Sequence, residues 1–108
     1  MALSVSTTRC DDAAVVAANG EIDLATAPAL EDAITAAVQA PGRLPVVVDL
    51  AGVRFCDSSG IRALVHGRLL ADQRGLSYRV TGANGIVLDV LEVTGVWPQL
   101  STPTAAPS

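Results

Sequence analysis

The stretch from Val46 to Val65, VVVDLAGVRFCDSSGIRALV, constrains the fold more than any other part of the chain. It begins within the β-branched apolar run Leu44 to Leu50, which does not alternate with polar residues. Such a run predicts a strand covered on both faces, as in a parallel sheet. After a short loop, Asp57-Ser58-Ser59-Gly60 opens an amphipathic helix. A buried strand feeding a helix is the repeating unit of α/β folds. The first N–H groups of a helix lack intrahelical partners and sit at the positive end of its dipole. A serine placed there can be a plain cap or can carry a phosphate. On local grounds alone the cap is the commoner use.

The flanking segments supply the remaining elements. Leu3, Val5 and Thr7 alternate with Ser4, Ser6 and Thr8, the period of a half-buried strand, and Cys10-Asp11-Asp12 reads as a turn. Ala14 to Ala18 reads as a second strand, ended by Asn19-Gly20 and antiparallel to the first. Thr26 is a candidate N-cap, with Pro28 in the first turn. Ala27, Leu30, Ala33, Ile34, Ala37 and Val38 then share a helical face, and Glu31, Asp32, Thr35 and Gln39 share the other, until Pro41-Gly42 stops the helix. The helix after Ser58 is expected to bury Ile61, Leu64, Val65 and Leu69 and to expose Arg62, His66 and Gln73, with Gly75 at its C′ position. Leu76 to Thr81 alternates as a fourth strand. Asn84 can cap a short helix that carries Ile86, Val87, Val90 and Leu91, and Val96-Trp97 is expected to form an edge strand, with Trp97 anchoring the C-terminal segment in the core. The order predicts an α/β domain over residues 1–100: a mixed, mostly parallel sheet of four to five strands, with helices packed on one face and with Val46–Leu50 and Leu76–Thr81 central. Residues 101–108, rich in Pro, Thr, Ala and Ser, read as a disordered tail.

Composition narrows the chemistry. Among 108 residues half are hydrophobic and only 3% aromatic, so the core must be built from Val, Leu, Ile and Ala. The net charge of −4 argues against nucleic-acid binding, which calls for a basic patch. All seven basic residues are arginine, so no P-loop or Schiff-base lysine exists. The N-terminus shows neither a basic n-region nor a long apolar run, and no stretch reaches the length of a membrane span. A cytoplasmic protein is expected. Cys10 and Cys56 match no metal or redox spacing and read as two reduced thiols, and with His66 they make a poor metal site.

Catalytic readings fail on geometry. Ser58 and Ser59 lack the G-x-S-x-G turn of a nucleophile elbow. The only histidine, His66, lies two helical turns from Ser58, about 11 Å of rise, too far for a catalytic pair. Asp49 could mimic the phospho-acceptor of a response-regulator receiver, but the acidic pair and the lysine of that site are missing. No enzyme activity, cofactor or metal is expected.

The combination of Gly20-Glu21-Ile22-Asp23 with Thr26, Val46-Val47-Val48-Asp49-Leu50 followed by Gly52-Val53, Asp57-Ser58-Ser59-Gly60-Ile61, and Leu91-Glu92-Val93-Thr94-Gly95-Val96 resembles the STAS domain of anti-sigma factor antagonists. The resemblance spans about residues 3 to 97. It implies a bacterial regulator of transcription that works by partner switching. The unphosphorylated antagonist binds an anti-sigma factor, an ATP-dependent serine kinase, and so releases a sigma factor. Phosphorylation of the first serine of the motif, here Ser58 with Ser59 as the backup acceptor, ends that binding, and a serine phosphatase restores it. The resemblance further implies partner contacts at Asp23, Asp57, Ser59, Gly60, Arg62 and His66. Asp57 is read first as a cap that orients Ser58 and second as a contact for the kinase's nucleotide-bound metal. Two departures stand out: Arg62 occupies a position where the family often has a small residue, and the usual C-terminal helix is short or missing. The alternative reading is a STAS module that is not phosphorylated, in a stressosome-like scaffold or a lipid-transport complex.

Overall fold

A computed structural model describes residues 3–102. The chain runs β1 (Leu3–Arg9), β2 (Ala14–Ile22), α1 (Ala27–Gln39), β3 (Val46–Cys56), α2 (Ser58–Gln73), β4 (Tyr78–Thr81), α3 (Gly85–Val93) and α4 (Trp97–Ser101). The four strands form one sheet in the order β1-β2-β3-β4. β1 and β2 are antiparallel, with Leu3 opposite Gly20 and Arg9 opposite Ala14. β2, β3 and β4 are parallel, so each returns through a crossover that contains a helix. This is the expected mixed, mostly parallel sheet.

The register places Ala14, Val16 and Ala18 beside Val46, Val48 and Leu50, and these beside Tyr78 and Val80, all on one face of the sheet. That face is buried under Leu30, Ile34 and Val38 of α1, Ala63, Leu64 and Ala71 of α2, Val87 and Leu91 of α3 and Leu100 of α4, in one continuous core. The opposite face carries Val15, Ala17, Val47 and Asp49 half-buried, with Ser4, Ser6, Asn19 and Arg79 exposed. The apolar run at 44–50 is therefore covered on one face only, and Asp49 at its end points to the open side. The lack of alternation came from Val47 alone, which a half-buried face tolerates.

Strand order also departs from expectation. β4 is an edge strand and β2 is central. Apolarity had ranked β3 first; two of the inward positions of β2, Ala14 and Ala18, are small, and β2 is central all the same. β2 also runs past Asn19-Gly20 to Ile22, with register shifts between Ala17 and Asn19 and between Gly20 and Glu21.

α2 buries Gly60, Ala63, Leu64, Gly67 and Ala71, whereas Ile61 and Val65 are half-buried and Leu69 is 54% exposed. The inward face is a stripe of small residues, so it escapes a search for leucines at helical spacing. The close approach is evident at Gly67, where an added Cβ would lie 2.5 Å from Ile34 Cγ2 and 2.8 Å from the Tyr78 hydroxyl. That hydroxyl donates a 2.8 Å hydrogen bond to the Leu64 carbonyl, tying β4 to α2. Gly75, at φ +69°, ends α2 in a left-handed turn, and Leu76 N–H donates back to the Ala71 carbonyl at 2.9 Å.

The C-terminal segment differs most. Val96-Trp97 does not form a strand; Trp97 and Pro98 open α4, which inserts Leu100 into the core while Trp97 packs half-buried against it. The C-terminal helix is thus present but short. Ser101, expected in a tail, belongs to that helix, and the rest of the proposed tail from residue 103 lies outside the described residues.

Candidate functional site

The carboxyl ends of the two central parallel strands meet at one edge of the sheet, where α/β proteins commonly place their sites. Ile22 pairs with Cys56 as the last rung of the β2–β3 ladder. One residue further, Asp57 N–H donates to the Ile22 carbonyl at 3.2 Å. This bond sets the Asp23 loop beside the start of α2, as the sequence reading required.

Asp57 is the N-cap of α2, with extended backbone, and its Oδ1 accepts from the Ser59 N–H at 2.9 Å. Its carbonyl accepts from Gly60 and Ile61 N–H. Ser58 follows as the first helical residue and is exposed, while Ser59 is half-buried. Gly60 is buried because the helix start sits directly on the sheet: a Cβ there would lie 2.4 Å from Cys56 Sγ and 2.6 Å from Ile22 Cγ2. The Ser58 hydroxyl is thus presented at a helix start that sits against the sheet.

The Asp23 loop is held by a side-chain network. Asp23 Oδ1 accepts from Ala25 and Thr26 N–H, each at 3.0 Å. The Thr26 hydroxyl accepts from Asp23 N–H and donates toward the Glu21 carbonyl, both at 2.9 Å. Thr26 therefore does not cap α1 through its side chain; it locks the loop that precedes it. Asn84 likewise occupies the N-cap position of α3 but turns its amide to the Ala51 and Gly82 carbonyls. The Thr26 backbone N–H, joined by the Thr26 hydroxyl and Ala25 N–H, lowers the Asp23 carboxyl below its ordinary value. A depressed carboxylate favours the folded loop at neutral pH, and this contribution fades as pH falls through that carboxyl's own titration.

Beyond the helix start, Arg62 and His66 lie exposed along α2. His66 Nδ1 sits 3.0 Å from Glu31 Oε1 of α1. Two shallow grooves between α1 and α2 meet at Arg62. One is lined by Leu24, Ala27, Pro28 and Ser59, the other by Val65, His66 and Leu69, with Glu31 and Arg62 common to both. Leu24 is 79% exposed beside Ser59, and Leu69 is 54% exposed about three turns further along α2. Neither leucine, nor Glu31, stood out in the sequence as part of a site. Leu24 could have been found as a lone leucine inside a polar turn, between Asp23 and Thr26.

Cys56 is buried under this helix start, and burial, aided by the Asp57 charge, pushes its thiol up to about 11. Cys10 is exposed, in the turn after β1 at the far end of β2. Nine residues of strand separate the two ends, roughly 26 Å, so the two thiols of one molecule cannot join. Iodoacetamide at neutral pH should therefore modify Cys10 within minutes and Cys56 only on unfolding. Peptide mapping with and without urea checks this; equal labelling of both in the native protein would contradict the burial of Cys56.

Among the described residues no group of three His, Cys, Asp or Glu could hold a metal, and no helix is long and apolar enough to cross a membrane. The assembly is an exposed serine on a fixed helix start, bordered by two carboxylates and by apolar flanks. It suits recognition and modification by another protein.

Known proteins resemble this chain in sequence and fold. A family described as "Mlab, STAS domain" matches residues 5–97. An anti-sigma-B factor antagonist of Staphylococcus aureus is 29% identical over 96 residues, covering 89% of this chain and 88% of that protein. The crystal structure of an anti-sigma factor antagonist from Mycobacterium paratuberculosis superposes with a TM-score of 0.75 at 29% identity, over 99% of this chain and 87% of the other. The Bacillus cell-fate determinant SpoIIAA in its phosphorylated form shares the fold, with a TM-score of 0.66 at 16% identity, over 92% of this chain and 89% of that one. With that family matching nearly the whole of the described fold, this chain belongs to the STAS-domain family.

Proposed function

We propose that this chain is an anti-sigma factor antagonist switched by phosphorylation of Ser58. The observation that carries the reading is the placement of the two serines. Ser58 is exposed at the first position of α2, whereas Ser59 is half-buried with its N–H already taken by Asp57. Ser58 is thus the more exposed of the two at the helix start, and the more open to an incoming nucleotide. In the step itself the Ser58 Oγ–phosphorus bond forms and the β,γ-phosphoanhydride bond of a nucleoside triphosphate breaks. The diphosphate leaves, and the hydroxyl proton passes to a base of the kinase. The kinase is the bound anti-sigma factor, and hydrolysis of the ester by a serine phosphatase reverses the step. Asp23, Asp57, Gly60, Arg62 and His66 form the contact surface with Ser59, and the exposed Leu24 and Leu69 add the apolar anchors. The chain supplies no chemistry of its own and acts in the cytoplasm, where sigma factors work. SpoIIAA, a protein of this fold, has been solved both unphosphorylated and phosphorylated, which supports the reading.

The test is incubation with anti-sigma factors of the serine-kinase class and ATP, followed by mass-spectrometric site mapping. One phosphate per chain is expected on Ser58, absent from Ser58→Ala and retained by Ser59→Ala. Phosphate on Ser59 alone, or on neither, would overturn the assignment.

Membership of the STAS-domain family leaves a second reading, a STAS module that is not phosphorylated, in a lipid-transport complex or a stressosome-like scaffold. Co-purification of a transporter ATPase in place of a kinase would select it.

A further inference from the structure

We propose that Arg62 is the counter-charge of a phosphate on Ser58, a latch across one turn of α2. The inference rests on the reading of Ser58 as the phospho-acceptor and adds how the modified site is balanced. Residues four apart are neighbours on a helix surface, and side chains lean toward the N-terminus, so Arg62 reaches back over the first turn. Arg62 lines the same groove as Ser59 and Leu24, which puts it over the first turn of α2, beside the residue that follows Ser58. Yet in the unmodified protein its guanidinium makes no hydrogen bond or ion pair among the described residues. Arg68, by contrast, pairs with Asp72 and donates to the Gln99 carbonyl. Glu31, the one carboxylate in the groove, is engaged by His66.

A phosphate on Ser58 would enter a site bordered by Asp57 and by Asp23 from the β2–α1 loop, with Glu31 and His66 facing from across and along the groove. Both aspartates oppose the phosphate dianion. Arg62 is the nearest cation on the same helix. A planar guanidinium can hold two phosphate oxygens at once, and an anion followed four residues later by a cation is the favourable order. The modified site would carry its own counter-charge.

The second ionisation of phosphoserine, near pH 6 when unperturbed, reads the balance directly. Phosphoserine is installed at position 58 during translation, and 31P NMR follows its titration in otherwise unchanged protein, in Arg62→Lys and in Arg62→Gln. The glutamine variant should hold its last proton about threefold more tightly than the parent, a shift of about half a pH unit, with lysine between. The difference should collapse near 1 M salt. Asp57→Asn should shift the titration the opposite way, to lower pH, and serves as the control that the probe senses its neighbours. Superposed curves for arginine, lysine and glutamine would overturn the latch. No kinase is used, so that outcome leaves the assignment of Ser58 to the mapping experiment, and a failed mapping leaves the titration intact.

Discussion

Valine in place of Gly67 should lower the stability of the domain by about 3 kcal/mol or more, a large share of the roughly 5–15 kcal/mol that holds a domain of this size. Its Cβ alone would stand 2.5 Å from Ile34 Cγ2 and 2.8 Å from the Tyr78 hydroxyl, and neither neighbour can yield freely. Ile34 is buried between α1 and α2, and Tyr78 is fixed by its bond to the Leu64 carbonyl. Two further methyl groups must push the helices apart or tilt α2 off the sheet. Alanine is the milder case, because its better helix propensity, worth about 1 kcal/mol over glycine, offsets part of the overlap. Urea denaturation of the parent, Gly67→Ala, Gly67→Val and the exposed-site control Gln73→Val measures this. The order should be parent, alanine, valine, with the control within about 0.5 kcal/mol of the parent. A valine variant as stable as the control would show that α2 does not approach the sheet as described.

Stoichiometric phosphorylation of Ser58 should weaken binding to the cognate anti-sigma factor by at least about a hundredfold, equivalent to about 2.7 kcal/mol. The modification adds about −1.5 to −2 charges at neutral pH, next to Asp57 and Asp23. A partner surface shaped around a neutral hydroxyl must then desolvate a dianion and meet like charges. Such juxtapositions cost several kcal/mol when water is excluded. The loss should be greater at 50 mM than at 500 mM salt, since screening acts on the repulsive part and not on the steric part. Calorimetric titration of both forms against one anti-sigma factor decides the matter, and a change below threefold would contradict the switch.

The start of α2 was legible because its punctuation is local: a β-branched strand, then an aspartate whose side chain can reach the second N–H of the helix. Ser58 and Ser59 occupy the expected turn, and the Asp23 loop lies beside it through the Asp57–Ile22 bond. The inward face of α2 was misread because apolar weight points to Leu69, whereas the contact is governed by how closely Gly60 and Gly67 let the side chains of Cys56, Ile22, Ile34 and Tyr78 approach the helix. The ranking of strands failed for a similar reason, since Ala14 and Ala18 are central by position and not by bulk. The segment after Gly95 is too short to display a helical period, and Pro98 reads equally as a strand end or as the first turn of a helix. The exposure of Leu69 depends on helix placement that no local pattern encodes, whereas Leu24 stands alone in a polar turn.

The seat of Gly60 on Cys56 and Ile22 bears on the kind of signal the domain can carry. A helix start clamped from beneath has no second position to move to, so the two states of the protein would share one shape. Information would reside in a covalent mark on an unmoving surface. A conformational switch relaxes at a rate set by its own barrier. A mark of this kind persists until an enzyme removes it, so the memory of the circuit would be as long as the phosphatase allows.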